Sequence, residues 1–332
     1  MGKACDSSVF DPYLYWYGIP TLFRCPHDPD ASNCDIALVG VPHSSGNGTT
    51  ERDQHLGPRA VRDMSMGYRR CHKEYLIDPW SLCTINDIGD TPLPHAMNND
   101  LAIKDIEAAF QRIDDAGARP VSIGGDHSIP LPILRAIASP TSKISGGEPV
   151  AMVHFDAHVD TYDAPHVLGN VYWAGSWGMF MNEEGLVDAE KVIQIGMRGH
   201  LGSLDMDHYS EDAGYRVIYK TEFDQMGVEA VVKEIRSRIP DDKPCYVTFD
   251  LDSLDPIYAP GVSNIEPGYP GLTMWEAMRC LHGMRGMNII GGDVVCPMPT
   301  KDDPSKITSI NASVIMFEII CLVADWLHNH KD

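Results

Sequence analysis

Three short stretches gather the side chains that could do metal-assisted chemistry: "SIGGDHS" at 122–128, "HFDAHVD" at 154–160 and "TFDLDSLDP" at 248–256. Together they offer His127, Asp156, His158, Asp160, Asp250 and Asp252. Four carboxylates and two imidazoles carry too much negative charge for one cation, and burying them unpartnered is costly. The set suits two divalent metal ions a few ångströms apart, which lower the pKa of water and make a nucleophile at neutral pH. The spacing in Asp156-x-His158-x-Asp160 and Asp250-x-Asp252 matters, because residues two apart at a strand end point the same way. Hard oxygen ligands with a little nitrogen favour Mn2+, with Ni2+ or Co2+ also fitting. Thiolates are absent from the set, which argues against structural zinc. Each stretch alone has a plainer reading: a D-x-D as a solvated loop, Asp126 as a cap on the next helix, a single His as a hydrogen-bonded core group. Three such clusters in one chain make coincidence a poor account.

The elements that must bring them together are legible as an alternation. Short Val- and Ile-rich runs near 35–41, 82–88, 120–123, 150–155, 192–195, 216–219, 245–249 and 288–295 show little polar alternation, as strands covered on both faces do. Helical patterns lie between and after them, clearest at 57–71, 99–116, 228–239, 273–284 and 305–328. Strand–helix alternation predicts an α/β fold with a mainly parallel, doubly wound sheet. In such sheets ligands bind beyond the carboxyl ends of the strands. All three polar clusters follow a predicted strand, so three segments distant in sequence could converge on one site. The chain contains no repeat or interdomain linker. It reads as a single domain over 31–332, preceded by an extension over 1–30 that carries Tyr13, Tyr15, Trp16 and Tyr17 and packs on the domain or on a neighbouring subunit.

Composition narrows the partners. A formal net charge of −21 excludes a basic nucleic-acid surface and an anionic-membrane surface, and favours cations over anions near the chain. Nine cysteines, an odd number without zinc-ribbon or redox spacing, read as reduced core thiols and a cytoplasmic protein. No apolar run reads as long enough to span a membrane, and the first residues lack the basic-then-apolar pattern of a secretory signal.

"GGDHS", "HFDAHVD" and "FDLDSLDP", with "GPRAVR" at 57–62 and "GGDVV" at 291–295, resemble the signature motifs of the ureohydrolase family, which contains arginase, agmatinase and the guanidino-acid hydrolases. The resemblance covers most of the chain. It implies a three-layer α-β-α fold with an eight-stranded parallel sheet, a dinuclear metal centre and a trimer or hexamer. It implies that His127, Asp156, His158, Asp160, Asp250 and Asp252 are the ligands, and that Asp160 also orients the attacking water-derived group. Glu266, in "PGVSNIEPGYPG", matches the family glutamate that pairs with a guanidinium; a carboxylate can accept two parallel N–H bonds from that plane.

Two departures shape the expected substrate. The family segment G-x-x-Y-x-H-G-T is "GNVYWAGS" here, with Ala174 in place of the family His. His166, in the longer "DAPHVLG" before it, is a candidate replacement acid or a surface-loop His. The family T-G-T-P-E-P becomes Val262, Ser263, Asn264, Ile265, Glu266, Pro267, which alters the pocket wall and brings Asn264 into it. Trp173 stands where a small polar residue is expected, near Tyr172 and Trp177, and aromatic faces attract alkylated cations. These changes are expected to suit a small alkylated guanidine or a biguanide such as metformin, within a homo- or hetero-oligomer. The alternatives are an agmatinase, guanidinobutyrase or guanidinopropionase, and a weakly active or regulatory subunit of a hetero-oligomeric ureohydrolase.

Overall fold

The computed structural model describes residues 18–47, 52–67, 70–163, 169–201, 208–266 and 268–330. Eight strands form one sheet: β1 Ile36–Val41, β2 Ile85–Asp90, β3 Arg119–Gly124, β4 Val150–Phe155, β5 Val187–Met197, β6 Arg216–Tyr219, β7 Cys245–Asp250 and β8 Ile289–Val295. The helices are α1 Gly57–Ser65, α2 Pro79–Leu82, α3 Asn99–Ala116, α4 Pro130–Ile137, α5 Trp177–Glu183, α6 Tyr209–Asp212, α7 Lys220–Met226, α8 Val228–Arg238, α9 Met274–Gly283 and α10 Ile307–Asn329. All eight predicted strands are present, and every pairing is parallel. The predicted 57–71 helix ends early, at Ser65.

The strand order is β2-β1-β3-β8-β7-β4-β5-β6. Strands β3 and β4 are consecutive in the chain but not neighbours in the sheet. The last two strands return to fill the space between them. The four central strands are therefore β3, β8, β7 and β4, and their carboxyl ends stand side by side. This is the reversal of strand order at which open parallel sheets form a crevice.

Alternate residues of each strand feed two separate cores, which is why the strands carry so little polar alternation. Ile36, Leu38, Val153, Phe155, Val247 and Phe249 pack with α8, α9 and α10 on one face. Ala37, Val39, Val41, Val150, Met152 and Tyr246 pack with α3, α4 and α5 on the other. The architecture is thus three-layered, as expected. Caps fix the helix ends locally: Asn98 accepts from the Leu101 amide at the start of α3, Gly117 ends it at φ 76°, and Thr273 with Glu276 forms a capping box on α9.

One sequence expectation changes. Helix α10 is long and apolar enough to cross a membrane, against the expectation that no run would be. Yet 83% of its most apolar window is buried in this fold, where it packs against α1, α9 and β8. A hydrophobic helix buried on most sides is a core helix. Within the expected N-terminal extension, the tyrosines and Trp16 lie outside the described residues, while Leu22 and Phe23 are buried in the main core.

Candidate active site

The three polar clusters meet at the carboxyl ends of the central strands. They wall a cavity of about 300 Å³ lined by Asn47, Asp126, His127, His158, Asp160, Tyr162, Trp173, Ala174, Gly175, Asp250, Asp252, Ser263, Asn264 and Cys296. A larger groove of about 780 Å³, lined by residues such as Lys191, Lys233 and Arg238, lies away from these clusters and holds no His–carboxylate constellation among the described residues.

The turn after β3 carries His127. Its Nδ1 lies 2.8 Å from Asp156 Oδ2, 2.9 Å from Asp160 Oδ2 and 3.2 Å from Asp250 Oδ2. Despite these contacts Nδ1 is buried without a hydrogen bond of acceptable geometry. The other ring nitrogen, Nε2, lies 2.9 Å from the Thr248 hydroxyl, which itself donates to Asp293 Oδ1 at 2.7 Å. A hydroxyl has one proton. With that proton on Asp293, Thr248 accepts from His127 Nε2–H, and Nδ1 is the nitrogen that faces three carboxylates, where a bound cation would replace its proton. That is the donor set of a cation site.

A second set follows beside it. His158 Nδ1 lies 3.3 Å from both Asp156 Oδ1 and Asp252 Oδ2. Its Nε2 is 2.9 Å from Glu266 Oε1, so the proton sits on Nε2 and Nδ1 again faces carboxylates. Asp156 belongs to both sets, one oxygen in each. Two imidazoles, each fixed by a partner on its far nitrogen, and a carboxylate shared between them fit a pair of divalent ions. In the metal-free site, burial pushes His127 and His158 towards neutrality. The carboxylates win, holding His127 well above its ordinary value through Asp156, Asp160 and Asp250, and His158 through Asp252, Asp156 and Glu266. Burial raises Asp160 and Asp252, and the neighbouring Asp156 and Asp250 charges raise them further.

Polar groups reach into the site from below in register. Asp293 on β8 pairs with Thr248 on β7, Thr248 with His154 on β4, and His154 with Gln194 on β5. All four are fully buried, on the face covered by α3, α4 and α5. The Gln194 amide donates to His154 Nδ1 at 3.0 Å, which leaves His154 Nε2–H to donate to Asp156 Oδ2 at 2.8 Å. Tyr246 donates to Asp293 at 2.7 Å. From α5, Trp177 donates Nε1–H to Asp160 Oδ2 at 2.8 Å and lays its ring 4.9 Å from that of His127. The metal-ligand reading missed this supporting row. A signal was available, since Asp293, Thr248, His154 and Gln194 each interrupt a run of apolar neighbours on their strand.

Strain collects here too. Asp160, Glu266 and Cys296 have φ of 52°, 49° and 67°, a region non-glycine residues rarely adopt. Gly125 is needed because a Cβ there would stand 2.1 Å from the His43 carbonyl oxygen.

All six expected ligands converge. Trp173 and Asn264 line the cavity, and Ala174 lines it where the family His is expected. Trp173 stacks loosely on Tyr162 with centroids 6.4 Å apart. The Glu266 carboxylate lies beside this cavity, its Oε1 2.9 Å from Nε2 of the cavity-lining His158. Gly199 makes room for it, since a Cβ there would stand 2.0 Å from Glu266 Oε2. His166 lies outside the described residues. A further cluster, His72, His282 and Glu318, is a hydrogen-bonded core feature. His72 Nδ1 accepts two backbone amides, so its Nε2–H donates to Glu318 and offers no lone pair to a metal.

Comparison with known proteins bears on the same residues. Residues 34–322 match the Arginase family. The chain is 38% identical to the guanidinopropionase of Pseudomonas aeruginosa over 308 residues, 93% of this chain and 92% of that protein. It is 33% identical to the guanidinobutyrase of the same organism, with 92% of each chain covered. The solved structure of proclavaminate amidino hydrolase from Streptomyces clavuligerus superposes with a TM-score of 0.85 at 32% identity, covering 94% of this chain and 99% of that one. With the matched region spanning all eight strands and every one of the converging His and Asp residues, the chain belongs to the arginase family of metal-dependent amidinohydrolases.

Proposed function

We propose that this protein hydrolyses the guanidino group of a small linear ω-guanidino compound, a guanidino acid ahead of agmatine, releasing urea and an amine. The observation that carries the reading is the pair of imidazole nitrogens, His127 Nδ1 and His158 Nδ1, that face carboxylates and share Asp156 beside one cavity. The expectation of a biguanide such as metformin has no comparable support. The similar proteins include a guanidinopropionase, a guanidinobutyrase and agmatinases, which favours the alternative reading of the sequence, and the guanidinopropionase, at 38% identity, puts a guanidino acid first.

Two divalent ions, Mn2+ or Ni2+ by the oxygen-rich donor set, would be held by His127, Asp156, Asp160 and Asp250 on one side and His158, Asp156 and Asp252 on the other. When bound, they would supply acidified water and offset the charge of the carboxylates. The protein's own groups do the rest. Asp160, which lines the cavity beside His127, is placed to carry a proton to the departing nitrogen. Trp177 fixes Asp160 in place for that step. Glu266 acts as a positioning residue, keeping His158 in the tautomer that leaves Nδ1 free. Trp173, Ser263 and Asn264 form the wall against which the rest of the substrate would lie, with Asn264 and Ser263 as neutral donors for a tail carboxylate.

The test is a panel of 3-guanidinopropionate, 4-guanidinobutyrate, agmatine, guanidine and metformin, assayed for urea and amine release with Mn2+ or Ni2+. A kcat/KM highest for a guanidino acid is expected. Faster release of dimethylamine from metformin than of urea from any guanidino acid restores the biguanide reading in its place.

A further inference from the structure

The second half of the metal site hangs on two loops from different strands. His158 lies in the loop after β4, and Asp252 in the helical turn 251–253 after β7. Their Nδ1 and Oδ2 atoms are 3.3 Å apart. One direct tie joins the loops, the Ala157 amide donating to Asp252 Oδ1 at 3.1 Å. A single bond to a ligand carboxylate is a weak way to fix the spacing of two loops.

Arg198 supplies a stronger one. It is the first residue after β5, which pairs with β4, as β4 pairs with β7. Its main-chain N–H donates to the Ala157 carbonyl at 2.9 Å, between the ligands Asp156 and His158. The end of β5 is packed tightly against that loop, since a Cβ at Gly196 would stand 2.9 Å from the Asp156 carbonyl oxygen. The Arg198 side chain reaches the turn after β7, two strands away. There Nη2 donates to the Asp252 carbonyl at 2.6 Å and the Leu254 carbonyl at 3.2 Å, and Nη1 to the Ser253 carbonyl at 3.2 Å. Carbonyls at the end of a helical turn lack partners within it, and a basic side chain can meet them. Arginine has enough N–H donors in one rigid plane to meet all three. Beside so many carboxylates a guanidinium would ordinarily pair with one of them. Here every hydrogen bond it makes among the described residues goes to the backbone of the Asp252 turn. The next residue, Gly199, leaves room for the Glu266 carboxylate that engages His158. In the first half of the site the fixing groups are different ones, Thr248 for His127 and Trp177 for Asp160.

We propose that Arg198 is a positioning residue for the His158–Asp252 half of the metal pair, its guanidinium fork setting the turn of Asp252 against the loop of His158. The proposal rests on the two-ion reading of the site and adds the residue that holds its second half together. The fork carries the role more than the charge, because a lysine ammonium is a point charge on a flexible stem and fixes no plane of carbonyls.

The experiment compares wild type with Arg198→Lys and Arg198→Met. Each metal-free protein is titrated with Mn2+ by calorimetry and by electron paramagnetic resonance, in which two adjacent Mn2+ ions give a spin-coupled spectrum and an isolated ion does not. Wild type should take up two ions and show the coupled spectrum. In both variants the second ion should bind roughly 10–100-fold more weakly, as when a partner that orients a ligand is lost. The first ion should bind as in wild type, and the coupled spectrum should give way to that of isolated ions. Wild-type affinity for the second ion in Arg198→Lys overturns the proposal. So does an equal loss at both positions, which is what a merely structural role would produce. A crystal of the metal-loaded wild type gives an answer that does not depend on either variant folding. A guanidinium still bonded to the carbonyls of 252–254 supports the assignment, and one turned away from them refutes it. Metal binding needs no turnover, so a wild type that binds two ions and loses the second in the variants, yet hydrolyses nothing in the panel, defeats the proposed function alone. Turnover with two tight ions in Arg198→Lys defeats the Arg198 assignment alone. A wild type that takes up one ion at most defeats the two-ion reading, and the Arg198 assignment with it.

Discussion

At the scale of single residues, the site works by assigning each proton. A partner on Nε2, Thr248 for His127 and Glu266 for His158, turns each Nδ1 towards the carboxylates that would share a cation with it. Replacing Asp252 with Ala removes a carboxylate from the His158 set alone. Elemental analysis should then find the bound metal roughly halved, and turnover abolished; full metal content with full activity would contradict the ligand assignment. Trp177→Phe keeps the ring against His127 and deletes only the donor to Asp160. Metal affinity or kcat should fall by roughly 10–100-fold, the usual effect of losing a partner that orients a ligand, with the melting temperature little changed.

Elements decide whether those residues meet. The row Asp293, Thr248, His154, Gln194 exists because β8, β7, β4 and β5 are paired in one register, and a slip of one residue would turn each of them to the opposite face. Thr248→Val keeps the β-branched shape and removes the link between His127 and Asp293. It should destabilise the fold by about 1–3 kcal/mol, the cost of stranding buried polar partners, and weaken metal binding in the same variant, both read by thermal melts with and without metal. Gly199→Ala acts at a loop instead. With φ at 96° and a clash against Glu266 Oε2, it should free His158 to rotate and lower activity well before it lowers the melting temperature.

On the scale of the whole molecule, the metal centre and folding are linked through pH. Without metal, His127 and His158 bind protons more tightly folded than unfolded, so their contribution to stability is present below about pH 6.5 and is lost as pH rises through their raised values. Asp156, held low by three imidazoles against the effect of burial, works in the other direction, losing its contribution only as acid is added below the carboxylate range. Metal replaces the imidazole protons. The drop in melting temperature caused by a chelator should therefore widen from pH 6 to pH 8, and metal uptake should release protons in calorimetry run in buffers of different ionisation heat. A drop that is constant across that range would refute the linkage. The net charge of −21 adds a field that gathers cations, metal or substrate, towards the cavity.

Much of this was decided by local chemistry and could be read from the chain alone. Val- and Ile-rich runs without alternation meant strands covered on both sides, and all eight of them form. The residue types of Asp156, His158, Asp160, Asp250 and Asp252, and their place just after predicted strands, marked them as ligands, although the strand period behind that reading does not hold: only Asp250 lies on a strand, with 156–160 in the loop after β4 and Asp252 in the helical turn 251–253. Tertiary structure decided what depends on which distant segments become neighbours. Only the return of β7 and β8 between β3 and β4 sets Thr248 under His127 and brings the loop of Glu266 to His158. Residue types announce which groups can carry charge or protons. Which lone pair is left bare is a property of the partners that folding brings to it.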